Sequence, residues 1–366
     1  PLYSSAASDV YKRQFHNSAK ILKRLDMRGI ILAFLEIIYY FCHVNECCID
    51  IYTKSKDLPT LLEGNYFHSR ELFIIYEQTP GCTPYMVVVS NKEGQTLAQL
   101  LVAVNRKGNW FPPYIYTHAH AHEEGIYANE AYKEEFFCKM LQAITLRLDR
   151  RLCLYIEFSG IRKKMFGYRA FRQQGYFPVV WQEVHNSLHS KVPEERLSEK
   201  IQQRIKKLKD KGIITQTAIN REDIHSFHQL LKRYYRFKPR RHIPNEQYFQ
   251  EMAKSHNAKI FLTTYGGKNI GGCACVYSEG NAYLCYLAAK RKTYSMLHPD
   301  TMVVWNAIQY AYEHNYNHIY FMDVGLPWHR NPFREFILSF GGKPVSKYRW
   351  FRFYSHTINK ILSWLY

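Results

Sequence analysis

The feature that constrains this chain most is a repeated order of predicted elements. Each copy predicts a pair of alternating strands, a short third strand, a long helix, an apolar strand and a short helix that ends at glycine. The first copy runs from Tyr85 to Val179 and the second from Lys259 to Val345. Solenoid repeats have periods of about 20–50 residues, so a repeat of roughly 170 residues indicates a duplicated domain.

The elements of the two copies can be placed on the sequence. The first copy has strands at Tyr85–Ser90 and Thr96–Asn105, a helix near Asn129–Leu148 and an apolar strand at Leu152–Phe158. The second has a hairpin at Lys259–Tyr277, a strand at Ala282–Ala288, a helix at Pro299–Asn315 and a strand at His318–Asp323. We predict an α/β protein whose two halves are mixed sheets with helices on their faces, joined near Ser190–Gly212.

Three motifs of the second copy carry a family resemblance: Gly271-Gly272, Phe321-Met322-Asp323-Val324-Gly325 and Phe340-Gly341-Gly342-Lys343-Pro344. Together with the element order, they resemble the GNAT acyltransferase fold, present twice. The family with this arrangement is the FemAB-like acyltransferases, with the related BioF-like acetyltransferase domains of bacteria. The resemblance covers about Ile49–Phe353 and implies two tandem GNAT-like domains.

Length agrees with two domains, because 366 residues exceed the limit of about 250–300 for one core. We predict a first domain at 49–190, a basic connecting helix at 191–212 and a second domain at 213–366. Residues 1–48 are a doubtful extension. Within it, 4–14 match one reading frame of a sequencing adapter, which we interpret as an assembly artefact, and Met27 or the region near Ile49 is the expected native start. The apolar run Ile30–Cys42 is too short to span a membrane.

The charge is unusual, since 50 basic and 31 acidic residues give a net charge of +19. This surplus favours a polyanionic partner such as RNA, a phosphorylated lipid or an anionic membrane face; a basic protein without such a partner is the alternative. The nine cysteines are scattered and form no Cys-x-x-Cys pair. That spacing is typical of reduced thiols and predicts a cytoplasmic protein, at the inner membrane face if its substrate is lipid-linked.

A basic helix is predicted between the two copies. Leu197, Ile201, Ile205 and Leu208 recur at helical spacing, Lys206 and Lys207 lie on the other faces, and Gly212 ends the helix. FemAB-like proteins carry a similar basic helix at the entry to their second domain. The resemblance therefore implies a phosphate-contacting helix, and a solvated helix held by one apolar stripe is the alternative.

A second basic cluster follows at Lys232–His242, where aromatic residues alternate with cations. Guanidinium groups pair with phosphates and aromatic rings stack on bases, so this loop is a candidate for ligand or polyanion contact. A solvated loop anchored by its aromatic residues is the alternative. We expect one common basic surface that contains Lys206, Lys207, Arg233, Arg236, Arg240 and Arg241.

Histidines alternate with alanines in His118–His122, a spacing that places imidazoles on one face of an extended segment. Zinc or nickel binding is one interpretation. We favour an exposed, tag-like surface run, and we assign no metal site.

Catalysis is predicted in the second copy. In the GNAT-like fold that it resembles, the strands holding Tyr283–Ala288 and Ile319–Asp323 splay apart, and the acyl donor inserts between them. The acceptor amine must lose a proton and attack the donor carbonyl. Asp323 is the candidate that orients or deprotonates the amine, and Tyr286 is the candidate acid or hydrogen-bond donor. A turn-forming Asp323 and a core Tyr286 are the alternatives.

The donor loop departs from the wider superfamily. Acetyl-CoA-dependent members carry a glycine-rich loop before the following helix, whereas Lys290–Asp300 contains no glycine. Asp300 would repel an anion at that helix start, while Lys290, Arg291 and Lys292 offer direct charge pairing instead. The corresponding stretch of the first copy, Thr117–Gly125, has no phosphate loop, which favours a recognition or scaffolding role for the first domain.

The resemblance implies an acyl- or aminoacyltransferase that acts on an amine of a cell-envelope precursor of the peptidoglycan type. The expected cosubstrate is acyl-CoA or aminoacyl-tRNA, with no tightly bound cofactor and no DNA partner. One alternative is an acyl-CoA-dependent N-acyltransferase of a small amine. Another is a non-catalytic basic GNAT-fold protein that binds RNA or anionic surfaces.

The carboxyl-terminal residues mix aromatic and apolar side chains with cations, as in Trp350–Phe353 and Ile358–Leu365. Such a mixture suits the interfacial zone of a membrane. We expect either peripheral membrane contact or a final strand and helix that pack on the second domain.

Overall fold

A computed structural model describes residues 47–108, 115–236, 243–322 and 324–366. The expectations for 4–14, Met27 and Ile30–Cys42 lie outside the described residues, as do those for Asp323, Arg240 and Arg241. Residues 49–89 and 95–366 form one compact unit. In the short stretch 90–94, the Gly94 N–H donates to the Asn91 carbonyl over 3.1 Å, which makes the predicted turn.

The first half holds seven described strands: β1 Cys48–Tyr52, β2 Cys82–Ser90, β3 Thr96–Gly108, β4 Ile115–His122, β5 Ile126–Tyr127, β6 Tyr155–Ser159 and β7 Phe177–Ser187. Its described helices are α1 Arg70–Gln78, α2 Lys133–Asp149 and α3 Tyr168–Gln173.

The second half begins with α4 Glu199–Asp210, β8 Ile214–Thr217, α5 Arg221–Tyr235 and α6 Glu246–Lys254. Next come β9 Ala258–Tyr265, β10 Lys268–Ser278, β11 Asn281–Ala289, α7 Pro299–Glu313 and β12 His318–Phe321. The last elements are α8 Pro332–Leu338, β13 Lys343–Phe353 and α9 His356–Leu365. The predicted mixed α/β class is confirmed.

The strands form one continuous sheet in the order β1-β2-β3-β4-β6-β13-β7-β12-β11-β10-β9-β8, with β5 beside β3. Each half contains one parallel pair joined by a long helix. In the first half β4 pairs with β6 across α2, and in the second β11 pairs with β12 across α7. The duplicated element order of the sequence is therefore visible as a duplicated topology.

The two halves exchange their last strands. β13 lies between β6 and β7 and is antiparallel to both, while β7 is antiparallel to β12. The last strand of each half thus lies beside the parallel pair of the other. The sequence predicted two sheets but not this exchange, and the domain boundaries at 190 and 212 stay a prediction.

Helix α4 shows why its sequence pattern is helical. Leu197 precedes it and Ile201, Ile205 and Leu208 lie within it, and all four are buried against the core that α7 forms with β10 to β12. Gly212 has φ +76, a left-handed conformation that glycine adopts without strain. The predicted apolar stripe and its glycine stop are confirmed.

Helices pack closely on both faces of β10, which explains the Gly271-Gly272 motif. A Cβ on Gly271 would lie 2.7 Å from Val303 of α7, and one on Gly272 would lie 2.9 Å from Phe227 of α5. Successive strand residues point to opposite faces. Helices α4 and α7 therefore cover one face of the second half, and α5 and α6 cover the other.

The middle of the sheet is asymmetric. On the face that α2 and α3 cover, aromatic side chains pack closely, as in the stacked pair of Phe171 and Trp350 with ring centroids 4.5 Å apart. On the opposite face, β4, β6, β13 and β7 present charged and polar side chains. Burying charged groups costs free energy. A polar surface at the centre of one sheet face therefore indicates a functional site.

Candidate functional site

Two adjacent cavities lie over this polar face and share His122, Glu183 and Met322. The first, called here the tyrosine cavity, has a volume of about 220 Å³. Its lining includes Tyr66, Tyr76, Tyr248, Tyr286, Lys107, His120, Glu157 and Arg349. The second, the carboxylate cavity, has a volume of about 270 Å³. Its lining includes Glu123, Arg162, His185, Glu279, Tyr283, Tyr320 and Lys347. Together they form a cleft to which both halves contribute.

The histidine run lies inside this cleft, so the predicted exposed surface run is wrong. His118, His120 and His122 occupy alternate positions of β4, which is paired on both sides. Ala119 and Ala121 are buried on the opposite face. The small alanines fit beneath α2 while the imidazoles point into the tyrosine cavity. The alternation was the signal of a central strand.

Two of these histidines, His120 and His122, are neutral. The Ser159 hydroxyl lies 2.8 Å from His120 Nε2 and 3.2 Å from His122 Nδ1. Burial lowers the pKa of His122 to about 3, with a further contribution from His120. Burial likewise lowers the pKa of His120. Neutral imidazoles can accept a hydrogen bond from a bound ligand. Among the described residues, no three metal-binding side chains are grouped so as to hold a metal ion.

Arg349 of β13 connects the two halves within the cleft. Its Nη1 lies 3.3 Å from Glu157 Oε1 of β6, and its Nη2 donates to the Met322 carbonyl at 2.9 Å. The guanidinium also lies 4.1 Å from the centre of the Trp181 ring. Because β13 is the exchanged strand, a residue of the second half completes the polar wall of the first.

Lys107 is a basic group with a lowered proton affinity. Burial lowers the pKa of Lys107 to about 8, although Glu157 acts in the opposite direction. A lysine with this pKa exchanges its proton near neutral pH. The tyrosine cavity therefore combines an amine, two neutral imidazoles and the Glu157–Arg349 pair.

Glu183 is a fixed negative charge between the two cavities. Burial acts to raise its pKa, but the hydrogen bond from His185 and the charge of Lys347 outweigh burial and bring the pKa to about 2. The carboxylate lies 3.0 Å from His185 Nε2 and 3.1 Å from Lys347 Nζ. It stays ionised at every physiological pH.

Glu123 anchors a network across the carboxylate cavity. Its carboxylate accepts hydrogen bonds from Tyr283 Oη at 3.1 Å, Asn65 Nδ2 at 2.6 Å and Arg162 Nη2 at 3.1 Å. Arg162 also pairs with Glu279. Glu123 and Arg162 come from the first half and Tyr283 and Glu279 from the second, so the network ties the halves together beside the cleft.

In the second parallel pair, β11 extends beyond β12 beside the tyrosine cavity. The described pairing of β11 with β12 runs from Asn281 to Leu284, while β11 continues to Ala289. A bulge at Cys285 shifts the register with β10, since Ala274 faces Tyr286 and Cys275 faces Leu284. Bulges redirect side chains. The splay of the two strands stays a prediction.

The two predicted catalytic residues follow the ends of this pairing in sequence. Tyr286 follows the bulge, lines the tyrosine cavity and packs on Phe249, with ring centroids 5.2 Å apart. Asp323 lies outside the described residues, but Met322 before it lines both cavities. The catalytic roles of both residues stay predictions.

The described residues of the predicted basic surface lie on α4 and at the end of α5. Lys206 and Lys207 are exposed on α4, which packs against α7. Arg233 and Arg236 are exposed at the end of α5, on the opposite face of the sheet. The expectation that these residues form one common basic surface stays a prediction, as do their roles in ligand binding.

The Lys290–Lys292 segment follows the end of β11 and lies near other charged groups. Burial lowers the pKa of Lys290, and Arg233 adds to this effect, which places the two cations close together. Arg291 Nε lies 2.8 Å from Asp300 Oδ2, so Asp300 is neutralised and its expected repulsion of an anion is relieved. Lys292 is exposed.

Sequence patterns missed two cations near the start of α7. Burial lowers the pKa of His298, and Arg204 and Lys200 of α4 add to this lowering, so both cations lie near the helix start. The sequence also missed Lys107, Glu157, Glu183 and Arg349. These four lie on separate strands, and only the exchange of β7 and β13 brings them together.

Comparisons with known proteins identify a matching family model and similar solved structures. Residues 195–330 match the acetyltransferase (GNAT) domain family model. No curated protein matches the chain. The structural similarities are global: the chain resembles FemX, with 10% identity, a TM-score of 0.57 and coverage of 84% of this chain and 96% of that one.

Two further structures share the architecture. The structure of L-PGS from Bacillus licheniformis has 13% identity and a TM-score of 0.53, with coverage of 82% of this chain and 92% of that one. A tandem GNAT protein from the clavulanic acid biosynthesis pathway has 8% identity and a TM-score of 0.50, with coverage of 84% and 99%. At these identities the likeness establishes the fold, and the predicted resemblance to FemAB-like GNAT proteins is confirmed at that level.

Proposed function

We propose that the protein is an N-acyltransferase, from the premise that residues 195–330 match the GNAT acetyltransferase domain family model. The acceptor is an amine of a cell-envelope precursor of the peptidoglycan type. The single observation that carries the proposal is the position of the polar cleft, which lies beside the part of β11 that continues past its described pairing with β12. A nucleophile and an acyl donor would meet there.

The donor's acyl group would lie beside β11 where that strand continues past Leu284, the end of its described pairing with β12. The backbone of a strand can bind an amide-containing arm by strand-like hydrogen bonding, and its N–H groups can stabilise a developing oxyanion. The cations Lys290 and Arg233, close together beyond the end of β11, would pair with phosphates of the donor.

The acceptor would lie in the cleft, which offers charges of both signs. The ionised Glu183 attracts the acceptor's ammonium group, and Arg349 and Lys107 attract its carboxylate or phosphate groups. Bound near neutral groups such as His120, the ammonium loses its proton to a base. The free amine then attacks the acyl carbon, and the leaving group departs with a proton supplied by Tyr286 or water. Asp323 is the proposed base.

Aminoacyl-tRNA is the proposed donor, because the resemblance is to FemAB-like enzymes, several of which use it, and because α4, α5 and the Lys290 region expose many cations. An acyl-CoA donor and a small amine acceptor form the second candidate. It is favoured by the paired Arg291 and Asp300 and the nearby Lys200 and Arg204 at the start of α7, where a pyrophosphate would bind.

Mass spectrometry of the purified protein with amine acceptors tests the proposal. One arm supplies a panel of acyl-CoA donors, and the other supplies charged tRNA. We expect an acceptor mass increased by one aminoacyl group with charged tRNA only. Acylation in the CoA arm alone would replace the proposal by the second candidate. Binding of tRNA with no product in either arm would support the non-catalytic RNA-binding alternative instead.

A further inference from the structure

Helix α9 has an unusual surface. None of its residues is buried, and Trp364, Leu365, Ile361 and Ile358 are 83%, 60%, 55% and 44% exposed. Ile358, Ile361 and Leu365 recur at three and four residues, which places them along one side of the helix. Isolated exposed apolar residues need no explanation, but a contiguous apolar stripe on a helix marks an interaction site.

Polar contacts fix the orientation of this helix. Ser355 caps it by accepting the Ile358 N–H over 3.4 Å. Asn359 accepts the Phe353 N–H over 2.9 Å and donates from Nδ2 to the Gly175 carbonyl over 2.9 Å. The side of α9 that faces the protein is therefore tied down by an asparagine, while the apolar stripe faces outward. This is the reverse of a helix that packs on a core, so the predicted packing role does not account for the stripe.

Cations lie near the start of α9 and on the helix itself. The Tyr354 N–H donates to the Leu154 carbonyl over 3.0 Å, and Arg352 Nη2 lies 2.8 Å from Asp149 Oδ2. These contacts place the end of α2 beside the start of α9. The residues that follow Asp149 are the exposed Arg150, Arg151 and Leu152, and α9 itself carries the exposed Lys360.

We propose that α9 and the Arg150–Leu152 loop dock on an anionic lipid surface, with Trp364 and Ile361 in the interfacial zone. An outward stripe of aromatic and aliphatic residues bordered by cations has the composition of helices that lie in the plane of a membrane. A protein partner would need anionic groups around an apolar groove, whereas an anionic bilayer presents both at once. The net charge of +19 favours the same partner.

Docking of this kind is peripheral. No helix in the described ranges is long and apolar enough to cross a membrane. The inference goes beyond the proposed transferase activity and does not depend on it, because lipid binding is measured without turnover. If both hold, docking would concentrate the protein where a lipid-linked acceptor lies.

Flotation of the full chain with vesicles tests the inference. Vesicles of phosphatidylcholine alone are compared with vesicles that also contain phosphatidylglycerol. We expect binding to the anionic vesicles that weakens as salt rises, and a loss of roughly tenfold or more in the double variant Trp364→Ser, Ile361→Ser. Each of Arg150→Ala and Arg151→Ala should weaken binding by about fivefold, the contribution of one cation near an anionic surface.

Matched controls separate docking from general stickiness. Met296→Ser and Ile219→Ser remove side chains that are 82% and 79% exposed elsewhere on the protein, and both should keep full vesicle binding. Circular dichroism melting checks that each variant is folded. The proposal is overturned if the intact protein ignores anionic vesicles or binds neutral ones equally. It is also overturned if the α9 double variant merely dissociates an oligomer in size-exclusion chromatography and leaves flotation unchanged.

Discussion

The two parallel strand pairs of this protein share a topology but differ at their carboxyl ends. In the first half, β4 and β6 stay paired through their last residues, His122 and Ser159. The Ser159 hydroxyl also bridges to both inner histidines. In the second half, the described pairing of β11 with β12 ends at Leu284 and Phe321, and β11 continues with a bulge against β10 at Cys285.

This difference indicates how the two copies of a duplicated fold can take different functional roles. A closed strand pair presents a rigid row of side chains, which suits recognition of a ligand. A strand that extends beyond its parallel neighbour, as β11 does, offers a surface beside which an acyl donor could lie. The exchanged strands β7 and β13 then place Glu183 and Arg349 between the two regions. This contrast supports our proposal that the first half recognises the acceptor and the second half carries out transfer.

The largest expected effect tests transfer in the second half. Asp323 lies two residues beyond Phe321, as Gly160 lies two beyond Phe158. A general base contributes about 10²–10⁴-fold to rate, so Asp323→Asn should lower kcat by that amount while the melting temperature stays unchanged. Steady-state kinetics with the identified substrates provides the measurement. Full activity in this variant would make Asp323 a turn former and leave catalysis to substrate positioning.

The next prediction tests the closed packing of the first half. Gly160 has φ +71, and a Cβ there would lie 2.2 Å from His122 Cε1. Gly212 has φ +76 with nothing within 4 Å of such a Cβ, so it is a matched control. Left-handed strain costs about 1–2 kcal/mol and overpacking adds about 1–3 kcal/mol, so Gly160→Ala should lose clearly more stability in urea than Gly212→Ala. Equal losses of stability would show that the His122 ring does not pack closely against residue 160.

Acid should weaken the first half before the second. Burial lowers the pKa of both His68 and His122 to about 3, against an ordinary value of 6.5. The unfolded chain therefore binds more protons between these values, and stability falls as pH decreases through this window. The slope is about 1.4 kcal/mol per pH unit for each histidine. Hydrogen exchange at stepwise lower pH should show β3 and β4 losing protection before β9 and β10; the reverse order would contradict the contrast.

The smallest expected effect compares two tyrosines on β11, one on each side of the bulge. Tyr286→Phe should lower kcat by about five- to tenfold, the value of one hydrogen bond, since water can replace the lost donor. Tyr283→Phe removes the 3.1 Å hydrogen bond to Glu123 and should reduce acceptor affinity or stability instead. Kinetics that separate kcat from KM distinguish them. Identical profiles would mean that the bulge does not separate two functional regions.

Local patterns were sufficient for much of the fold. The element order and the apolar stripe of α4 both depend on neighbours in sequence. The strand exchange was not predictable in this way, because β13 and β6 pair across more than half of the chain, and such pairing is fixed by packing rather than by local propensity.

The candidate site was predictable only in part. Tyr286 was predicted from the family resemblance, and it lines the tyrosine cavity. The histidines of β4 were misread, because alternation with alanine is equally consistent with an exposed run until the covering helix is known. Glu157, Glu183 and Arg349 carry no local signal at all, since each has an ordinary strand context and gains its partner from a distant strand.

Hydrogen exchange with and without a bound donor tests the division of labour most directly. A non-transferable donor analogue, either a CoA thioether or a tRNA with a stable aminoacyl amide, is added to the intact protein. The account predicts new protection of the backbone amides in Cys285–Ala289 and unchanged exchange in His118–His122. Protection of His118–His122 with no change in Cys285–Ala289 would place the donor in the first half and contradict the account.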